Sequence, residues 1–390
     1  MDKSEKGRIL LIAGDGTCYN VLNEFAKDIA IEFENKGFDA EVRYITTLNE
    51  DLLSELNGND YRAILGFQTN LFTLKDFNGT YIGSRLSVPL YNFILDSPAT
   101  RLHYFAGDIK NLTILYHDSD YISFVRKHFT QCRVLFLPPG GKSVAISNES
   151  SFFSGREYDC TFMGTYTDYR KLLNEGVSTN PEYADLILDY FQFLISNPWY
   201  SHEKGTEVFL SGLNVVLSEE EFLSVYRLLY FSVRAALAFY REKNIKIFLD
   251  SGIKIDAFSR SWESAPYSDH SNLIIHDEVP YSECADYYAK SKLSLNIFSW
   301  HKASITERIA NIMLNGAVCI SDRSSGLFDH FSNGKDLVMF DLEKGTDIIE
   351  AIKELLSDDE YRISIAKQGY QNALMHHTWG DRVDKIIELM

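Results

Sequence analysis

The strongest constraint on the fold of this chain is an alternation that begins at its first apolar run. Residues 8–13 read RILLIA, a buried strand, and Gly14-Asp15-Gly16 interrupts it. Apolar residues then return at helical spacing over residues 20–36. A second strand at 40–44 follows Gly37, as a βαβ unit requires. Residues 63–67, 90–95, 111–117 and 133–137 continue the series. Their apolar residues run together instead of alternating, the mark of strands covered on both faces. The series stops at Pro138-Pro139-Gly140-Gly141, which no regular element tolerates.

After the polar stretch 147–157 the pattern restarts with a strand at 158–163 that runs into Gly164. Residues 181–243 are predominantly helical, with Ala184, Ile187, Leu188, Phe191 and Leu194 on one expected face and a second long helical segment at 219–240. Strands are then expected at 245–249, closed by Asp250-Ser251-Gly252, and at 273–276, 294–298, 318–321 and 337–340. Helices are expected at 280–290, 305–314, 346–356 and 359–375, with a turn-rich piece at 322–326. The 390 residues exceed one ordinary domain. The fold class predicted is α/β: two Rossmann-like domains facing a central cleft, residues 1–155 and 156–375, with residues 181–243 as a helical elaboration of the second. Such sheets bind ligands at the carboxyl ends of their strands, so function is sought there.

Thirty-eight basic against 55 acidic residues give a net charge of −17, which argues against a broad electrostatic grip on nucleic acid or anionic lipid. A content of 45% hydrophobic and 24% charged residues excludes global disorder. The five cysteines are scattered without a C-x-x-C pair, a pattern of reduced thiols rather than of a disulfide framework or a zinc knuckle. The apolar run from Ile9 is too short for a secretory segment, and no later stretch approaches a bilayer span. A cytoplasmic protein with no transmembrane segment is expected.

Gly14, Asp15 and Gly16 join the first strand to the first helix, where backbone can approach a ligand or simply turn. Tyr19 stands where a dinucleotide fingerprint needs Gly, and no P-loop motif occurs, which sets aside nicotinamide dehydrogenases and P-loop ATPases. Asp96, at the end of the strand 90–95, can take a proton from a hydroxyl nucleophile, with His103 as the rival base. Asp96 as a cap of the following helix is the competing role. Asp118 and Asp120 look like a helix start, and no metal site is expected.

The densest constellation runs from Asn296 to Asp322: strand, polar loop, helix, Gly turn, strand. His301, Lys302, Ser304 and Thr306 crowd the loop and helix start, where unpaired N–H groups and the positive dipole end favour a diphosphate. Lys302 or Arg308 can neutralise departing phosphate charge, although Glu307 and Arg308 can equally be surface charges. Arg323, Ser324, Ser325 and Gly326 offer a second loop for sugar hydroxyls or phosphate, or a generic polar loop. Val279, ahead of the helix that starts at Pro280, is a natural place for backbone to read a base edge.

The order of these residues resembles the bacterial glycosyltransferases related to spore-maturation protein B, within the larger GT-B set. The resemblance rests on CTFMGTYTDYR at 160–170, VPYSECADYYAKSKLSLNIF at 279–298, ITERIANIMLNGAVCISDRSSGLFDHFSNGKDLVMF at 305–340 and HHTWGDRV at 376–383. In the first half, LYNFILDSPATRLHY at 90–104, YHDSDYISFVRKHF at 116–129 and LFLPPGG at 135–141 are similar to the acceptor-side domain of the same family. The family pattern R-x-x-E-x-x-x-x-G places its Arg on Arg308 and its Gly on Gly316, while the acidic residue that contacts the donor ribose falls on Asn311. The resemblance implies that residues 376–390 cross back as a helix onto the first domain, with Trp379 as an anchor.

It further implies sugar transfer from a nucleoside-diphosphate sugar, a UDP-sugar ahead of a GDP-sugar, to a hydroxyl of a glycan, lipid-linked sugar or protein, without an obligatory metal or resident cofactor. Gly164 joins the expected donor-binding set. The alternatives are a non-catalytic nucleotide-sugar-binding or assembly protein of the same fold, for which Asn311 speaks, and a UDP-sugar 2-epimerase.

Overall fold

The computed structural model describes residues 6–13, 20–144, 152–298 and 300–390. The chain divides into two compact units, one of Met1–Lys142, Pro280–Ser282 and His376–Met390, the other of Ser143–Val279 and Glu283–Met375. The units part at Lys142, ahead of the boundary near residue 155 that the sequence suggests.

The first unit opens with β1 (Arg8–Ala13), α1 (Val21–Asn35), β2 (Asp39–Tyr44), α2 (Glu50–Gly58) and β3 (Tyr61–Phe67). It continues through β4 (Leu90–Ile94), α3 (Pro98–Arg101), β5 (Leu112–Tyr116), α4 (Ser119–His128) and β6 (Arg133–Phe136). Among the described residues these strands form one parallel sheet in the order β2-β1-β3-β4-β5-β6. β4 and β5 are buried along their whole length, including the one polar residue in each, Asn92 and Thr113. Asp118 caps α4 by accepting from the N–H groups of Asp120 and Tyr121.

The second unit runs β7 (Tyr158–Phe162), α5 (Tyr169–Thr179), α6 (Ala184–Ser196), α7 (His202–Gly212), α8 (Glu219–Asp250), β8 (Ile255–Phe258) and β9 (Leu273–His276). After α9 (Tyr281–Tyr288) come β10 (Ser291–Asn296), α10 (Glu307–Leu314), β11 (Val318–Asp322), α11 (Ser325–Phe328), β12 (Val338–Phe340), α12 (Ile349–Ser357) and α13 (Asp359–His376). Its sheet is also parallel, in the order β12-β11-β10-β7-β8-β9. The chain then ends in α14 (Trp379–Leu389), whose Trp379, Val383 and Ile386 are buried in the core of the first unit with Phe25, Phe93 and Leu115.

Two expectations are corrected here. Residues 245–249 are not a strand but the last turns of α8, a 32-residue helix. Ile245, Phe248 and Leu249 are buried at helical i, i+3, i+4 spacing, and the helix stops only at Ser251, before Gly252 with φ of 86°. The strand of this sheet is β8, which the sequence reading passed over. Leu188 does not join the buried face of α6; Tyr190 does, its hydroxyl meeting the Thr206 hydroxyl and accepting no exposure to solvent. By length and composition alone α8 is long and apolar enough to cross a membrane, a test that the core helix of a soluble protein also passes. In the structure α8 packs on α5, α6 and α7, burying Leu229, Val233, Ala236 and Tyr240 in the core of the second unit.

Candidate functional site

In the second unit the strand order reverses between β7 and β10, the position at which open parallel sheets leave a crevice beyond their carboxyl ends. β10 closes on Asn296, which is fully buried. Its Nδ2 donates to Ser321 Oγ at 3.0 Å, and its Oδ1 accepts from Arg308 Nη1 at 3.4 Å. Asp322, at the end of β11, accepts the Phe298 N–H at 2.9 Å and so holds the loop that leaves β10. Arg308 lies on the first turn of α10, where N–H groups have no partner within the helix.

The two loops singled out by sequence meet here as a clasp. Ser304 N donates to Ser324 Oγ at 3.0 Å, and the same hydroxyl donates back to Ser304 O at 3.0 Å. Ser325 N donates to Lys302 O at 2.7 Å, with the Ser325 hydroxyl on the same oxygen at 3.0 Å. Gly326 lets the loops approach: a Cβ there would stand 2.8 Å from Ser304 N and 2.9 Å from Ala303 C. Ser304 and Ser324 thus bond to each other's loops, where the sequence offered them directly to a ligand.

The remaining candidates are placed as follows. Thr306 precedes α10 in extended conformation, makes no capping bond, and leaves its buried Oγ1 without a partner. Glu307 begins that helix. Lys302 Nζ lies 4.5 Å from the centre of the Trp300 ring, and His301 stacks beside Phe298 with centroids 6.3 Å apart. Arg323 makes a half-exposed pair with Asp341 at 3.0 Å. Asn311 is buried on the inner face of α10, and its carbonyl accepts from Asn315 Nδ2 at 2.7 Å. Gly164 turns its carbonyl to Trp262 Nε1 at 2.7 Å, and Val279 stands half-buried at the end of the β9 loop.

The sequence reading missed Arg241. On α8, between Tyr240 and Glu242, it reads as part of a solvated Arg-Glu-Lys helix end. In the structure its Nη1 donates to Thr165 O at 2.9 Å, just beyond β7, and its Nη2 to Ile297 O at 3.3 Å, just beyond β10. Burial, then the nearby Arg308 charge, lowers its pKa to about 10, against a smaller opposing effect of Asp322, so it stays cationic at neutral pH.

In the first unit Asp96 follows β4. Its Oδ2 lies 2.6 Å from Arg101 Nη2, its N–H donates to Gln68 Oε1 at 2.8 Å, and its carbonyl accepts from the Tyr116 hydroxyl at 2.6 Å. Ser97, not Asp96, caps α3. His103 is exposed and packs edge-on against Tyr104, centroids 4.4 Å apart. Gln68, which follows β3 with φ of 49°, Arg101 and Tyr104 line a cavity of about 320 Å³ beyond β3. Gly14, Asp15 and Gly16 lie outside the described residues. Among the described residues no group of three or more His, Cys, Asp or Glu is placed to hold a metal ion.

Residues 235–388 match the family model described as glycosyl transferase-like. No curated protein matches the sequence. Solved structures align over almost the whole chain. Sucrose-phosphate synthase from Thermosynechococcus elongatus is 8% identical, with 98% of each chain covered and a TM-score of 0.55. T4 phage BGT in complex with its UDP-glucose substrate is 11% identical, with 98% of each chain covered and a TM-score of 0.53. The chain has the GT-B fold. Anabaena HepE in complex with UDP is similar again, at 10% identity, 98% and 99% coverage of this chain and of that one, and a TM-score of 0.53. The glycosyl transferase-like segment takes in Arg241, the clasped loops and α10.

Proposed function

We propose that this protein is a glycosyltransferase that moves a sugar from a nucleoside-diphosphate sugar to a hydroxyl acceptor. The observation that carries the reading is the carboxyl edge of the second sheet: Arg308 beside Asn296, the unpartnered Thr306 hydroxyl and the start of α10 all collect at the switch point. They do so within the segment that matches the glycosyl transferase-like model. A diphosphate at that edge meets helix N–H groups and cationic side chains, which is what a doubly charged leaving group needs.

The acceptor oxygen attacks the anomeric carbon, the bond from that carbon to the phosphate oxygen breaks, and the nucleoside diphosphate departs with the electron pair. Arg308 and Lys302 offset its charge, a task that divalent metal performs elsewhere. The hydroxyl proton passes to Asp96 or His103, or to a phosphate oxygen if configuration is retained. UDP-sugars are placed ahead of GDP-sugars, and the acceptor is a glycan, a lipid-linked sugar or a protein. The structures of T4 phage BGT with UDP-glucose and of HepE with UDP support a uridine donor on the same fold.

The test is release of nucleoside diphosphate from UDP-, GDP-, ADP- and dTDP-sugars, with and without chelator, alone and against a broad acceptor panel. Release from one donor, unchanged by chelator, is expected. Tight donor binding without release on any acceptor would instead leave the non-catalytic reading that Asn311, in the family's acidic position, favours.

A further inference from the structure

We propose that Arg241, carried by the inserted helix α8 to the switch point between β7 and β10, grips the donor diphosphate together with Arg308. The inference rests on the donor reading above and assigns a residue of the helical elaboration to that site.

The placement is specific. The two hydrogen bonds of Arg241 go to Thr165 O and Ile297 O, the first chain segments beyond the two strands whose divergence opens the crevice. The guanidinium therefore straddles the one point of this sheet where a ligand is expected. Its five N–H donors are not exhausted by two carbonyls, and Nε is buried without a partner.

Charge argues the same way. Among the described residues Arg241 forms no ion pair: its neighbour Glu242 is taken up by the Tyr166 hydroxyl at 2.8 Å and by Arg170 at 3.2 Å, and the Asp322 charge offsets Arg241 less than the Arg308 charge opposes it. Arg308 donates to the neutral Asn296, and among the described residues it forms no ion pair. Two guanidinium groups close enough to repel one another are thus hydrogen-bonded to neutral oxygens at one sheet edge, with Asp322 offsetting part of that repulsion. An arrangement of this kind costs stability in the empty protein and is relieved by a bound dianion. The loop after β7, Met163 to Asp168, carries no basic residue, so a cation on that side of the crevice has to come from elsewhere in the fold. α8 delivers it.

The test uses the full chain and titrates UDP, GDP and uridine by calorimetry and ligand-observed NMR, for the parent, Arg241→Gln and Arg241→Lys. Losing a charge-assisted bond to phosphate is expected to weaken binding of the preferred nucleoside diphosphate about tenfold or more in Arg241→Gln. Uridine affinity should stay within about twofold, and Arg241→Lys, which keeps charge and core packing, should fall between. Arg241→Gln with unchanged diphosphate affinity overturns the proposal. So does an equal loss for uridine and UDP, the mark of a mere loop staple. A parent that binds neither diphosphate refutes the donor reading itself, a result distinct from both. If Arg241→Gln does not fold, Arg241→Lys decides: diphosphate affinity equal to the parent's rejects the role.

Discussion

Arg101 and Asp96 are joined at 2.6 Å, Nη2 to Oδ2, across the short turn that follows β4. The pair fixes the carboxylate from one side while Gln68 Oε1 fixes the Asp96 backbone from the other. A carboxylate held this way is oriented before substrate arrives, which a general base requires. Asp96→Asn preserves shape and removes basicity, so turnover is expected to fall about 100-fold with nucleoside-diphosphate affinity unchanged. His103→Ala, measured in parallel for kcat and for donor binding, tests the rival. Near-normal turnover in both variants rejects either residue as base.

The clasp between the 302–304 and 324–326 segments makes Gly326 a second point of attack. A methyl group there meets three backbone atoms of the Ala303–Ser304 segment, at 2.8 to 2.9 Å, and backbone cannot rotate away. Gly326→Ala is expected to cost about 1–3 kcal/mol of stability through overpacking. The same displacement moves Lys302 and Ser304, so donor affinity should drop with it. Melting curves with and without UDP check both, since a variant with parental melting and a parental UDP shift contradicts the geometry.

The strand framework was legible in the sequence because parallel strands covered on both faces gather apolar residues without alternation, as in β1, and in β4 and β5 with one polar residue each. Residues 245–249 were misread for the same reason: a short apolar run is compatible with strand or buried helix, and only its continuity with Ser218 at the far end of α8 decides. β8, four residues long and fully buried, contains Asp256, whose Oδ1 pairs with His276 Nε2 at 2.8 Å; a charge there hid the strand. At the site, Arg308 and the two loops were visible as clustered polar residues between strands. Arg241 was not, because its position depends on where a 32-residue helix passes over the sheet, and no local pattern encodes that.

His202 supplies a pH prediction. It begins α7, stacks on Tyr226 with ring centroids 4.0 Å apart, and leaves both ring nitrogens buried without partners. Burial pushes its pKa from 6.5 down to about 3, so the folded protein keeps it neutral where the unfolded chain protonates it. Between those values the unfolded state binds the extra proton, and stability therefore falls as pH falls from 6.5 towards 3, at up to about 1.4 kcal/mol per pH unit. His202→Phe keeps the stack and removes the titration. Urea midpoints at pH 7 and at about pH 5 should converge in the variant and separate in the parent; equal separation in both proteins contradicts this assignment.

Trp379 closes the core of the first unit. Its ring lies 4.8 Å from that of Phe25 and 6.4 Å from that of Phe93, centroid to centroid, and the side chain is 3% exposed. Thr378 starts α14 with a reciprocal capping box, accepting from Asp381 N while Asp381 accepts from Thr378 N, so the entry to the helix is set independently of the ring. Gly140 lies against this entry: a Cβ would stand 2.5 Å from Trp379 N and 2.7 Å from Thr378 C. The chain ending β6 and the chain beginning α14 are therefore in backbone contact, which also explains the bond from Gly141 N to His377 O at 2.8 Å. Trp379→Ala leaves a large void and is expected to cost about 3–5 kcal/mol. Gly140→Ala leaves the core intact but forces the two segments apart, so it should also destabilise, by about 1–3 kcal/mol. Because both changes act on the same junction, the double variant should lose less than the sum of the two. Denaturant titration of the three variants measures this, and full additivity would mean that α14 is held by its other contacts and not through this junction.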